Sequence, residues 1–473
     1  MFFSLASVAR AGLALLAVAP SALGRALNEP QTRALPPDSD PFYKPPAGFE
    51  SAEAGDVLRS RRIFPGFFGF IPDPVEAYQV LYRTEAVDGT PIATVTTIFK
   101  PPFAKTDRFI SYHTAYDSSG TICNPSYSYQ LGSIPVNPLN SVELLEIQLY
   151  LLNGYIVSSP DYEGPEASFA SGHLTGKGVL DGMRAVTNFR KTLGLSSTPK
   201  IVGMGYSGGG LATGWAAALQ PTYAPELSMK GWAAGGIPAN LTAILLSLDK
   251  TVASGFVPVA VAGLLKPSAY GKQLQPLVDR IITPAGRKVL ATADTKCTVD
   301  ALLAFPFQSV LSTDFQSLGR DLLYESTISG ILADNTLGVK KDQTPTAPLM
   351  QYHATPDEIV PYGPAAILRK SWCDFGATVK FTEYAAGGHG TTVVLALLDV
   401  LQFTKDAFAG NVAAGCTTRT LLDNKLDPLA FGVMLEPLAV GLINWLASMG
   451  DKDAKWLDSI KNGDRTAVAS GAN

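Results

Sequence analysis

A serine set among glycines, Gly205-Tyr206-Ser207-Gly208-Gly209, stands between the β-branched pair Ile201-Val202 and an alanine-rich helical stretch over residues 211–219. A strand that turns this abruptly into a helix leaves no room for side chains on its flanks. Glycines are needed there, and the serine is left exposed with its Oγ at the helix N-terminus. The five residues alone are a weak signal in a chain with 44 glycines, so the flanking strand and helix carry the weight. Read together they form a nucleophile elbow.

The surrounding pattern agrees with such a turn. Strand-like runs at residues 109–112, 155–158 and 201–203 alternate with helical runs at 142–152, capped by Ser141, at 179–190 and at 211–219. The rhythm returns with strand 349–353, helix 364–373, strand 379–384 and helix 391–408. This alternation predicts an α/β fold with a mostly parallel sheet covered on both faces. Ahead of it, after a proline-rich leader at 36–48, the runs 78–83 and 93–99 flank the turn residues Asp88-Gly89 and predict an antiparallel hairpin at the sheet edge. Between 240 and about 334 the rhythm fails. Apolar helical patches there are interrupted by Pro258, Pro267, Pro276 and Pro306, which predicts an inserted helical subdomain. The core is then expected over 25–239 and 335–473, with the insertion at 240–334.

Charged residues make up 16% of the 473, the net charge is −4 and there is no basic run. Nucleic acid and anionic membranes therefore have no electrostatic support as partners. The N-terminus reads as a secretory signal over residues 1–24: Arg10, an apolar core at 11–19, then Ala22 and Gly24 before a mature start near Arg25. That core is too short for a bilayer span, and the apolar stretches 252–265 and 428–449 are broken by Pro258 and by Glu436-Pro437. Residues 451–473 are polar, which argues against a GPI signal. Cys123, Cys297, Cys373 and Cys416 lack zinc-site spacing; a secreted chain would oxidise them into two disulfides. Three pairings are open, with Cys373–Cys416 attractive because both flank one C-terminal region. Asn240-Leu241-Thr242 is an N-glycosylation acceptor, expected at the surface.

A serine hydroxyl needs an imidazole to take its proton and a carboxylate to hold that imidazole. In a fold of this kind the chain order is serine, acid, histidine, each after a strand. Of four histidines, His113 and His173 precede Ser207, and His353 lies within a buried strand, whereas His389 sits in the loop Ala386-Gly387-Gly388-His389-Gly390 just after one. His389 is the expected base; the bland alternative is a solvated turn histidine. The acid should follow the preceding strand, and Asp357 does, with Glu358 its neighbouring rival. Pro356 fixes the turn before Asp357, and Ile359-Val360 turns Glu358 to another face; the bland alternative is an Asx-turn carboxylate. An oxyanion needs two N–H donors. Gly208 supplies one, and the other should lie within residues 112–120, at a position that spacing does not select.

At this point the residues resemble a known family. The elbow, followed by Thr213-Gly214-Trp215 and Tyr223-Ala224-Pro225-Glu226-Leu227, then Pro356-Asp357-Glu358-Ile359-Val360-Pro361-Tyr362, is similar to the fungal secretory lipases typified by Candida antarctica lipase A. The segments Asp40-Pro41-Phe42-Tyr43, Pro45-Pro46-Ala47-Gly48-Phe49 and Pro125-Ser126-Tyr127-Ser128-Tyr129 extend the likeness over nearly the whole mature chain. The chain departs from the family at Gly388, where an acidic residue is known, and beyond about Cys416. The resemblance implies an α/β-hydrolase fold with a helical lid at 240–334 and a C-terminal flap. It places the triad on Ser207, Asp357 and His389, the oxyanion donors on Asp117 and Gly208, and the disulfides on Cys123–Cys297 and Cys373–Cys416.

The expectation is a secreted serine lipase that hydrolyses acylglycerols through an acyl-enzyme on Ser207, with no metal or cofactor, as a monomer meeting lipid at an oil–water interface. The apolar stretch 252–265 is either part of a lid or plain core. A short-chain or secondary-metabolite esterase of the same fold is the first rival; a hydrolase-fold binding protein without catalysis and a serine carboxypeptidase are the others.

Overall fold

The computed structural model describes residues 33–422. The expected signal at 1–24 and the stretches 428–449 and 451–473, with most of the expected flap, lie outside the described residues. The strands are β1 Val57–Ile63, β2 Gly66–Phe67, β3 Ile71–Pro72, β4 Glu76–Glu85, β5 Pro91–Lys100, β6 Arg108–His113, β7 Ile156–Pro160, β8 Lys200–Tyr206, β9 Met229–Gly235, β10 Leu349–Ala354, β11 Val379–Tyr384 and β12 Thr417–Leu421. Among the described residues the α-helices longer than one turn are α1 Pro138–Leu152, α2 Gly172–Asn188, α3 Gly208–Tyr223, α4 Leu241–Leu248, α5 Phe256–Leu264, α6 Gly271–Ile281, α7 Pro284–Ala293, α8 Thr298–Ala304, α9 Ser326–Asp334, α10 Tyr362–Asp374 and α11 His389–Ala409.

Ten strands form one sheet in the order β1-β4-β5-β7-β6-β8-β9-β10-β11-β12, while β2 and β3 make a separate small hairpin. From β7 to β12 every neighbouring pair is parallel. The pairs β1·β4, β4·β5 and β5·β7 are antiparallel. Strands β7 and β10 are buried along their whole length, as parallel strands covered on two faces must be. One face packs on α1 and α11 around Ile147, Tyr150, Val394 and Phe403. The other packs on α2, α3 and α10 around Met183, Trp215 and Trp372. This is the α/β-hydrolase arrangement.

Three expectations are corrected. The hairpin β4·β5 is not at the edge, because β1 pairs outside it; the arginines of β1, Arg59, Arg61 and Arg62, hide its strand character while suiting an edge that must not pair further. Helix α1 is not capped by Ser141. It starts at Pro138 after Asn137, as proline's fixed φ favours, and the Ser141 hydroxyl accepts the Phe68 N–H at 2.8 Å. Pro258 does not interrupt its helix but sits in the first turn of α5, where its missing N–H has no partner to lose.

The topology places the site. Strand β6 lies between β7 and β8, so the chain leaves β6 toward one side and returns to β8 on the other. The loops that follow β6 and β8 therefore face each other across a crevice at the carboxyl ends of the strands. The register pairs His113 with Gly205, which sets the segment from Thr114 onward beside Ser207. Strands β10 and β11, paired through Ala354 and Tyr384, deliver Asp357 and His389 to the same end of the sheet.

Candidate active site

Ser207 holds a backbone conformation that non-glycine residues rarely adopt, φ 55° and ψ −118°, between the end of β8 and the first turn of α3. The neighbouring glycines make this possible. A Cβ on Gly209 would strike the His113 carbonyl oxygen, and one on Gly205 would strike that of Gly209, so the elbow packs backbone on backbone. Tyr206 fills the position before the serine. Its hydroxyl donates to the His389 carbonyl at 2.7 Å, and its ring lies 5.0 Å from the His389 ring.

His389 Nε2 is 2.8 Å from Ser207 Oγ, and its Nδ1 is 2.8 Å from Asp357 Oδ2. Three residues far apart in sequence are thus brought into one hydrogen-bonded chain. The Asp357 carboxylate is buried. Burial raises its pKa, but His389 first, then His353 and the Val360 N–H, outweigh it and hold the carboxyl below its ordinary range. Asp357 Oδ1 accepts the N–H groups of Ile359 and Val360 at 3.0 and 2.8 Å, so the Asx turn and the ion-pair partner are the same side chain. Its rival Glu358 takes another position: its carboxylate accepts the His389 N–H at 3.0 Å.

The remaining histidines are placed as follows. His353 Nε2 donates to the Val360 carbonyl at 2.9 Å and lies 3.4 Å from Asp357 Oδ2; burial lowers its pKa. This contact to the acid was not anticipated from sequence, because position 353 reads only as buried strand. His113 is buried between Ser111 and Thr213, which it meets at 3.1 and 2.7 Å. His173 faces Asp334.

Asp117 and Gly208 lie together beside Ser207 on the wall of an apolar cavity of about 120 Å³. Asp117 also has positive φ, 39°, and a Cβ on Gly208 would strike its carboxylate. Burial pushes the Asp117 carboxyl up to about 7, against the opposing pull of His389. The Asp117 backbone N–H also pulls that carboxyl down. Helices α4 and α5 supply about half of the cavity lining through residues such as Leu241, Leu245, Val257 and Val261, and Ile359 and Val360 line it too. A second apolar cavity of about 110 Å³ is lined by residues between 245 and 332 and shares Leu245, Val261, Leu264 and Leu332 with the first. The stretch 252–265 is therefore both cavity wall and packing, since Val259 and Ala262 are buried.

Cys123 is bonded to Cys297 and Cys373 to Cys416. Asn240 is half-buried rather than exposed, because its side chain caps α4 by accepting the Ala243 N–H at 3.0 Å. Among the described residues no group of His, Cys, Asp or Glu is arranged to hold a metal ion, and no helix is long and apolar enough to cross a membrane.

Comparison with known proteins gives a consistent result. A family model described as secretory lipase matches residues 135–415. A secreted triacylglycerol lipase of Malassezia restricta is 38% identical over 452 residues, covering 94% of this chain and 95% of that protein. A secreted triacylglycerol lipase of Malassezia furfur is 40% identical, covering 81% and 78%. The X-ray structure of Candida antarctica lipase A superposes with a TM-score of 0.77 at 31% identity, covering 88% of this chain and 96% of that one.

Proposed function

This chain belongs to the secretory lipase family, and we propose that it is a secreted serine lipase hydrolysing triacylglycerol to diacylglycerol and fatty acid. The observation that carries this is the Ser207–His389–Asp357 relay opening directly onto an apolar cavity. His389 Nε2 takes the Ser207 proton as Oγ attacks the ester carbonyl, and Asp357 stabilises the imidazolium. The N–H groups of Asp117 and Gly208 receive the oxyanion. The proton then passes to the departing diacylglycerol oxygen, leaving the acyl group on Ser207. Water, deprotonated by His389, attacks that acyl-enzyme; fatty acid leaves and Ser207 regains its proton.

The greasy cavity suits the acyl chain, since each methylene moved from water into it is worth about 0.8 kcal/mol. Helices α4 and α5, lying over the serine, act as a lid that opens at an oil–water interface. The intact relay argues against a non-catalytic binding protein, and a second apolar cavity that shares Leu245 and Val261 with the first favours long acyl chains over acetate. A fluorophosphonate probe should label the protein on Ser207 and fail to label Ser207→Ala. Triolein emulsion should be hydrolysed by the wild type alone. Absence of labelling, or labelling that survives Ser207→Ala, removes the proposal; efficient hydrolysis of acetate esters with none of triolein replaces it with the short-chain esterase.

A further inference from the structure

The oxyanion donor at Asp117 is one end of a peptide unit whose other end is the Tyr116 carbonyl. A trans peptide is planar, so fixing the C=O fixes the direction of the N–H on its opposite side. That carbonyl is gripped by three side chains. The Ser118 hydroxyl donates to it from within the loop, Asn137 Nδ2 reaches it at 3.4 Å from the start of α1, and Thr298 Oγ1 donates to it at 2.8 Å. All three side chains are almost fully buried. Thr298 is the first residue of α8 and belongs to the insertion, not to the core.

Other bonds hold the same two parts together. The residue before Thr298 is Cys297, bonded to Cys123, and the Ser119 hydroxyl donates to the Val259 carbonyl of α5 at 2.6 Å. We propose that Thr298 is a positioning residue for catalysis: through the Tyr116 carbonyl it aims the Asp117 N–H at the oxyanion, so the insertion helps to build the catalytic centre as well as cover it. Hydrogen bonds to the carbonyl also polarise the amide and make its N–H a better donor. The inference rests on the reading of Asp117 as an oxyanion donor.

Losing a donor outright costs roughly 10²–10³ in rate. Removing one of three grips should cost part of that, about tenfold. The test uses the full chain, p-nitrophenyl butyrate and a trifluoromethyl ketone that adds to the serine as a charged tetrahedral adduct. Thr298→Val is expected to lower kcat about tenfold with KM unchanged, to weaken the ketone by the same factor, and to be rescued by Thr298→Ser. A kcat within twofold of wild type overturns the proposal. So does a lower kcat with unchanged ketone affinity, or a Thr298→Ser variant as impaired as Thr298→Val. Should Thr298→Val not fold, Ser118→Ala loosens the same carbonyl from the other side and must show the same paired loss; an unchanged kcat there also overturns it. A wild type that hydrolyses no ester removes the underlying reading, whereas an active wild type with an indifferent Thr298→Val removes this inference alone.

Discussion

Val261 lies on the shared wall of the two apolar cavities, which makes it the place to test whether an acyl chain runs from one into the other. Phenylalanine there adds a ring to the wall that the two cavities share. Each methylene buried in the wild type should raise kcat/KM by about 0.8 kcal/mol, roughly fourfold, as long as apolar space continues. In Val261→Phe the rise should follow the wild type for short chains and then stop. A chain that places three methylenes in the inner cavity would lose about 2.4 kcal/mol, or roughly 60-fold. The assay is the initial rate on soluble p-nitrophenyl esters from acetate to decanoate, each below its aggregation limit and normalised to acetate. Profiles that stay parallel through decanoate would refute the reasoning, because a chain passing elsewhere would not meet the new ring.

Three further outcomes are expected. Gly209→Ala should lose at least a hundredfold in kcat, since its Cβ strikes the His113 carbonyl at the root of the oxyanion loop; wild-type kcat in a folded variant rejects the packing argument. Burial pushes Asp73 up to about 7, above the ~3.9 of an unfolded chain. The folded state therefore keeps a proton that the unfolded state has released, and this group's contribution to stability, roughly 4 kcal/mol, is fully present below pH ~4 and is lost as pH rises through about 7. Denaturant melts of Asp73→Asn between pH 4.5 and 7.5 should show a shallower decline than wild type, and equal slopes count against it. Replacing both Cys123 and Cys297 by serine, which frees a separation of 174 residues, should cost about 1 kcal/mol more than replacing Cys373 and Cys416, with 43; the reverse order in urea would contradict the chain-entropy account.

What the sequence makes legible is local. The elbow, the parallel core strands and the order Ser207, Asp357, His389 are all visible because glycine placement, β-branched runs and loop position act within a few residues. Strand β9, Met229–Gly235, is not, since Gly231 and Gly235 weaken its signal; they are there because Phe403 and Tyr352 pack against them. Helix α2 starts at Gly172 rather than at residue 179 for the same reason: Gly172 and Gly176 read as breakers but make room for Trp215. In the site, Asp117 comes only from the family likeness. Spacing does not select it, because its orientation is set by side chains from α1 and from the insertion. The contact of His353 with Asp357 is hidden likewise, a product of how the loop after β10 folds back.

The turn that fixes the acid has an engineering consequence. Asp357 is held by the N–H groups of Ile359 and Val360, and those two residues also line the apolar cavity beside Ser207. Mutagenesis aimed at chain-length preference on that side will therefore disturb the proton relay and read out as lost turnover. Libraries confined to Leu245, Val261 and Leu264, on α4 and α5, can reshape the cavity while leaving the relay's scaffold untouched.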